Sequence, residues 1–434
     1  MRQDAEAICR AALQAVRPQE LVRAAINNND RQLLALARRI IVVGAGKAGA
    51  AMSEGLEQCI GDLLSKVEGV VSVPAPGVRA LERIRLLPGR HAGHNEPGPD
   101  TLHATNGIID LVESAGPDDA VLCLISGGGS ALLEKPVEGL SLEQLRRLAT
   151  DLQSGGATIA EMNAVRKHLS QVKGGRLAAM FRGRWLVSLI LSDVMGDELD
   201  VVASGPTVPD PSTFNAAFEI ISRHGLNHQY VECERVLQAG AAGQLAETPK
   251  KLGANIVNRL IGNNNMALAA AETMAQEFGY HTFNRGTVVQ GETRIAARAE
   301  ADILMEFARG AREPVCLISG GETTVKMSGA HGIGGRNQEY ALAAMVYLGS
   351  ERMRDVVIAS LATDGEDGPT DAAGAVADRD TVSRARDLNL DAARMLAHHD
   401  AYHFFEATGD LIKTGLTETN VMDVHIWLSR SGIN

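Results

Sequence analysis

The chain has 434 residues, with 42 basic against 53 acidic side chains and a formal charge of −11, a balance that argues against nucleic acid as a partner. Aromatic residues make up 3% while glycine reaches 45, which favours aliphatic parallel sheets with glycine-rich loops over stacking surfaces for bases. No apolar run approaches the roughly 20 residues that cross a bilayer, Asp4 and Glu6 interrupt the opening segment, and the five cysteines include no C-x-x-C pair; these features read as a reduced cytoplasmic protein with no membrane partner and no zinc site.

In chain order, residues 4–16 and 19–39 carry apolar side chains at helical spacing and predict two amphipathic helices. Residues 40–43 form a short buried strand ending in Gly44-Ala45-Gly46-Lys47-Ala48-Gly49. Further strands are predicted at 70–73, 121–125 and 186–191, and helical patterns between some of them imply βαβ units and a parallel sheet covered on both faces. Residues 159–175 read as a helix with Ile159, Met162, Val165, Leu169 and Val172 inward and Arg166, Lys167 and Lys173 on a solvated face. His168 has no second histidine at metal-ligand spacing.

The second half repeats this grammar. Residues 260–261 lead into Gly262-Asn263-Asn264-Asn265, 315–318 into Ser319-Gly320-Gly321, and 356–361 into Thr363-Asp364-Gly365, and the hexapeptide Cys-Leu-Ile-Ser-Gly-Gly occurs at both 123–128 and 316–321. The expected fold class is α/β in two domains, the first with a parallel sheet over residues 1–236 and a second α/β domain over 237–434. The opening helices, residues 1–39, could pack on either, and a cleft between domains is the default place for ligands.

Loops at the carboxyl ends of parallel strands collect ligands, because amides point outward there. Gly44, Gly46 and Gly49 match G-x-G-x-x-G, but the next predicted strand runs into Pro74-Ala75-Pro76 without the carboxylate that would hold a dinucleotide ribose, and Lys47 suits an anionic oxygen. Ser126-Gly127-Gly128-Gly129-Ser130 suits an anion cradle, and Ser319-Gly320-Gly321-Glu322 adds a carboxylate fit for a nucleotide or its magnesium. Gly334-Gly335-Arg336 puts a cation at a helix start, where an anionic partner would explain it; both Lys47 and Arg336 sit on glycine-rich loops and are not expected to anchor a core. Asp193 and Asp364, in acidic loops at strand ends, suit Mg²⁺. Ordinary turn chemistry is the alternative for each of these loops.

Taken together, Gly44-Ala45-Gly46-Lys47-Ala48 and residues 126–132, 163–177, 192–206, 334–339, 363–374 and 408–421 resemble the type-2 glycerate kinases, a family that also carries the name hydroxypyruvate reductase in tartrate-utilisation operons. The resemblance spans nearly the whole chain. It implies a Rossmann-like N-terminal domain, a distinct α/β C-terminal domain and ATP-dependent phosphorylation of D-glycerate at O2, with ATP and Mg²⁺ as cofactors, a small hydroxy acid as the other partner, and Lys47 and Arg336 as the catalytic cations. A homodimer is compatible with it, and Asp193 is the first choice of general base. Two loops depart from the family pattern, Gly93-His94-Asn95-Glu96-Pro97-Gly98-Pro99-Asp100 and Thr414-Gly415-Leu416-Thr417-Glu418-Thr419-Asn420-Val421-Met422-Asp423, which leaves a related hydroxy acid open as substrate. The rival expectation is an NAD(P)H-dependent hydroxypyruvate reductase.

Overall fold

The computed structural model describes residues 1–90, 96–327 and 331–430. They form two compact units, Pro18–Ile261 and a second built from Met1–Arg17 with Gly262–Asn434. Among the described residues no helix is long and apolar enough to cross a membrane.

In Pro18–Ile261, β1 (Ile40–Ala45), β2 (Val67–Pro74), β3 (Ile84–Arg90), β4 (Ala120–Ser126), β5 (Trp185–Leu191) and β6 (Ile256–Gly262) make a sheet ordered β3-β2-β1-β4-β5-β6. The pairings β3–β2, β2–β1, β1–β4 and β4–β5 are parallel. β1 and β4 are buried along their whole length, the pattern of central parallel strands covered on both faces. Arg85 and Pro88 hide β3 from a hydropathy reading; proline is tolerated there because β3 lies at the sheet edge.

The second unit departs from expectation. Its strands β7 (His281–Glu292), β8 (Val315–Thr324), β9 (Val356–Ala362), β10 (Gly374–Ala377), β11 (Leu411–Ile412) and β12 (Asp423–Ser429) are ordered β11-β10-β9-β12-β8-β7. Only β7–β8 is parallel; β12 inserts antiparallel between β8 and β9, and β10 and β11 extend the antiparallel side. The second half is therefore a mixed sheet and does not repeat the first.

The division also falls later than residue 236. The helix Val231–Ala241 buries Cys233, Val236 and Leu237 in a cluster with Leu148, Leu169 and Ile221, and β6 then joins the first sheet beside β5. The opening helices separate. Arg2–Ala15 belongs to the second unit, where Arg2 bonds Asp378 (2.8 Å) and Asp410 (2.5 Å) and Asp4 accepts from Tyr280 (2.7 Å). Asn28–Leu36 belongs to the first, with Asp30 ion-paired to Arg259 on β6 at 2.7 Å.

Candidate active site

β1 is flanked by β2 on one side and β4 on the other, so strand order reverses there, and at such a switch point the loops beyond the strand ends diverge to leave a crevice. Ala45 pairs with Ile125. Just beyond, the Lys47 N–H donates to Gly127 O (2.9 Å) and the Ala48 N–H to Ser126 Oγ (3.0 Å). A Cβ at Gly44 would fall 2.2 Å from Leu124 O, and one at Gly46 2.0 Å from Ser126 Oγ. Both glycines thus serve the close approach of β1 to β4, a structural need beyond any role toward phosphate. Gly128 has φ 73°, and its missing Cβ would lie 3.2 Å from Lys47 Cγ, so the half-buried lysine stem runs over this turn. The short helix Gly129–Leu132 follows. Ser204 Oγ donates to Asn163 Oδ1 (2.9 Å), so Ser130 Oγ donates to Ser204 Oγ (2.9 Å). Asp193, half-buried, follows β5. The fold therefore brings Lys47, the 126–130 turn and Asp193 to the carboxyl ends of three adjacent strands.

The expected basic face is not solvated. Lys167 is buried with its Nζ between Asp200 (2.9 Å) and Asp210 (3.2 Å), and Lys173 is wholly buried against Glu134, whereas Ile159, expected inward, is exposed. His168 is buried, bonded to Ala164 O and Glu247, and burial pushes its pKa down.

In the second unit, the Ser319-Gly320-Gly321-Glu322 stretch is strand, not loop. β12 pairs with β8 through Gly321, Asp423 facing Gly321 and His425 facing Ser319, and β7 carries the strand on to Thr324, Gln290 facing Glu322 and Glu292 facing Thr324. Ser319 Oγ donates to buried Glu300 (2.7 Å). A Cβ would strike Asn264 Oδ1 at Gly320 and Val289 O at Gly321, each at 2.0 Å. Packing between neighbours accounts for this serine and these glycines, and a phosphate cradle is not needed to explain them.

Arg336 opens the helix Arg336–Arg352. Its Nε and Nη2 grip Asp423 at 2.6 and 2.9 Å, and Nη1 meets Glu322 at 2.7 Å. Burial works against the guanidinium charge, but Asp423, Glu322 and Asp367 outweigh it and push its pKa up. The anionic partner expected for this arginine is thus supplied internally, and Arg336 does anchor buried structure. Asp367 accepts the helix-start amides of Asn337 (2.9 Å) and Gln338 (2.8 Å). It occupies the place a Cβ on the N-cap Gly335 would need, 2.2 Å away. Burial pushes Asp367 up to about 7 despite those bonds.

Asp364 lies beyond β9, its Oδ1 accepting the Glu366 N–H (3.0 Å). The loop before β12 is fastened beside it: Thr417 N–H donates to Asp364 O (3.2 Å), and Val421 N–H to Thr363 Oγ1 (2.9 Å). Asp193 and Asp364 belong to different units. Among the described residues no group of three or more histidine, cysteine, aspartate or glutamate side chains is placed to hold a metal. Of the other departing loop, residues 93–95 lie outside the described residues; Gly98 and Thr101 cap the helix Pro99–Glu113. The functional candidate that sequence reasoning passed over is Asp423. The signal for it was its place at the end of the departing loop, residues 414–423.

The family described as Domain of unknown function (DUF4147) matches residues 4–238, and the MOFRL family matches residues 315–423. A D-glycerate 2-kinase of Thermotoga maritima is 39% identical over 393 residues, covering 90% of each chain. A putative hydroxypyruvate reductase of Agrobacterium vitis is 38% identical over 390 residues, covering 89% of this chain and 98% of the relative. The crystal structure of a glycerate kinase from Thermotoga maritima superposes with a TM-score of 0.84 at 37% identity, covering 98% of this chain and 99% of that one. On a match of this extent to both sequence and fold, the chain belongs to the type-2 glycerate kinase family.

Proposed function

We propose that this chain transfers the γ-phosphoryl group of ATP to the 2-hydroxyl of D-glycerate, giving 2-phosphoglycerate and ADP. The observation that carries the reading is the seating of Lys47 over the Gly128 turn at the β1/β4 switch point, in a chain 39% identical to a D-glycerate 2-kinase. Phosphoryl transfer asks for positioning and charge neutralisation more than for covalent chemistry. Lys47 and the 126–130 turn hold anionic oxygens. The oxygen of the 2-hydroxyl attacks phosphorus, the bond to ADP breaks, and Asp193 receives the hydroxyl proton. Arg336 keeps a second hydrogen on each of Nη1 and Nη2 beyond its bonds to Glu322 and Asp423. Those hydrogens serve a phosphoryl oxygen. Mg²⁺ commonly takes one or two carboxylates, substrate phosphates and water, so Asp364 or Asp193 fits a metal arriving with the nucleotide.

The hydroxypyruvate reductase reading draws on the name of the Agrobacterium relative. Against it, β2 ends at Pro74, where a dinucleotide fold needs an acidic residue for the ribose. Phosphorus NMR of protein, Mg-ATP and D-glycerate should show the O2 ester. NADH oxidation with hydroxypyruvate and no ATP consumption would reverse the assignment, and faster turnover of another hydroxy acid would correct the substrate.

A further inference from the structure

Beneath the turn after β4 lies a cation that the proposed chemistry does not use. Lys173 is wholly buried, and its Nζ reaches Ser130 O at 2.9 Å, Leu133 O at 2.7 Å and Glu134 Oε2 at 2.8 Å. A buried ammonium is costly unless paired and hydrogen-bonded, and here each of its three hydrogens has an acceptor. Two of the three are main-chain carbonyls, one within and one just after the short helix Gly129–Leu132. Glu134 is itself buried and is also faced by the positive charge of Arg166.

The segment held in this way shapes Lys47 by two routes. Gly127 O accepts the Lys47 N–H, and the Lys47 stem lies over Gly128. On its other flank, the segment is braced by the Ser130–Ser204–Asn163 chain of hydroxyl bonds. Ala203 and Ser204 hold left-handed φ values of 51° and 59°, and a Cβ on Gly129 would lie 2.7 Å from the Ala203 methyl. Such backbone persists only where its surroundings over-determine it.

From this geometry we infer that Lys173 is a positioning residue, which grips the carbonyls of Ser130 and Leu133 and so fixes the turn on which Lys47 is seated. It touches no substrate in this role and acts through Lys47. The inference rests on the proposed part played by Lys47, but its test does not need turnover.

Competitive acetylation with acetic anhydride, read at Lys47 by peptide mass spectrometry across pH, reports that lysine's environment whatever the substrate. Lys173→Met should lower the melting temperature and change Lys47 reactivity several-fold. Adding Glu134→Leu removes the carboxylate that Lys173→Met leaves buried without its ammonium, so the double variant should regain part of the melt, Arg166 having lost its facing charge. Its Lys47 reactivity should nevertheless stay altered, and its kcat should stay down by about tenfold or more, because a misplacement near 1 Å can cost that much. Glu134→Gln should lower the melt yet keep Lys47 reactivity near wild type, since Lys173 retains both carbonyls even as a neutral amine.

Wild-type Lys47 reactivity and kcat in a double variant with a partly recovered melt would overturn the inference. So would a Glu134→Gln change at Lys47 as large as that of Lys173→Met; this comparison of single variants decides the matter if the double variant does not fold. Absence of glycerate phosphorylation by the wild-type protein would sink the kinase reading alone, and Lys47 labelling would still test the positioning role.

Discussion

Removing the Arg336 guanidinium would leave Asp423, which is 0% exposed, without its bidentate partner. Breaking a buried pair in this way typically costs about 3–5 kcal/mol, and the 30% exposure of the Arg336 side chain moderates it. Arg336→Ala should therefore lower both kcat and the melting temperature. Adding Asp423→Asn should recover part of the melt and none of the turnover. Arg336→Lys keeps the charge but loses the planar fork, so Asp423 would be held by one bond in place of two. Calorimetry alongside steady-state kinetics separates these effects; an unchanged melt in Arg336→Ala would show that the pair contributes no stability. As candidates, Lys47 and Arg336 stand out in the sequence because each lies beside glycines. Asp423 was not, because it lies 87 residues from Arg336 and only the sheet brings them together.

The same hexapeptide ends in a turn after β4 and in continuing strand within β8. Local sequence is identical, so the neighbours decide: β12 offers β8 an antiparallel partner through Gly321. A methyl at Gly320 or Gly44 would collide with Asn264 or the Leu124 carbonyl, and overpacking of this kind costs about 1–3 kcal/mol. Gly320→Ala and Gly44→Ala should each lower the melt accordingly, and a wild-type melt in either would mean the strands can part without loss.

The start of the helix Arg336–Arg352 also carries a pH signature. Asp367 caps it with a carboxyl raised by burial to about 7, while His425 on β12, bonded to Ser360 (2.8 Å), is depressed by burial to about 4. An unfolded aspartate titrates near 4. Between about pH 4 and 7 the folded chain binds the extra proton at Asp367, so that contribution to stability falls as pH rises. An unfolded histidine titrates near 6.5. Between about 6.5 and 4 the unfolded chain binds the extra proton at His425, so that contribution falls as pH drops. At most the first reaches about 4 kcal/mol and the second about 3 kcal/mol. Melting temperatures relative to wild type should climb with rising pH for Asp367→Asn and with falling pH for His425→Gln. Parallel trends would contradict the assignment.

Over the whole molecule, the first sheet was legible because its central strands are unbroken aliphatic runs followed by glycine turns. The second unit is α/β as expected, but its mixed strand order is not readable from periodicity, because β12 comes last in the chain yet pairs in the middle of the sheet. The unit boundary slipped for a related reason: exposed Val257 and Leu260 give β6 a broken pattern, and its place beside β5 is settled by pairing. Lys47 belongs to Pro18–Ile261 and Arg336 to Gly262–Asn434. If both cations serve one transferring phosphoryl group, Lys47→Ala and Arg336→Ala should each reduce kcat by on the order of 10² to 10³. Their combination should lose less than the product of the two, because groups that act as a unit are non-additive. The decisive measurement is kcat for wild type, both single variants and the double variant at saturating ATP and glycerate, each corrected for its folded fraction. Multiplicative losses would assign the two cations to separate steps. A near-native kcat in either single variant would remove that residue from the chemistry.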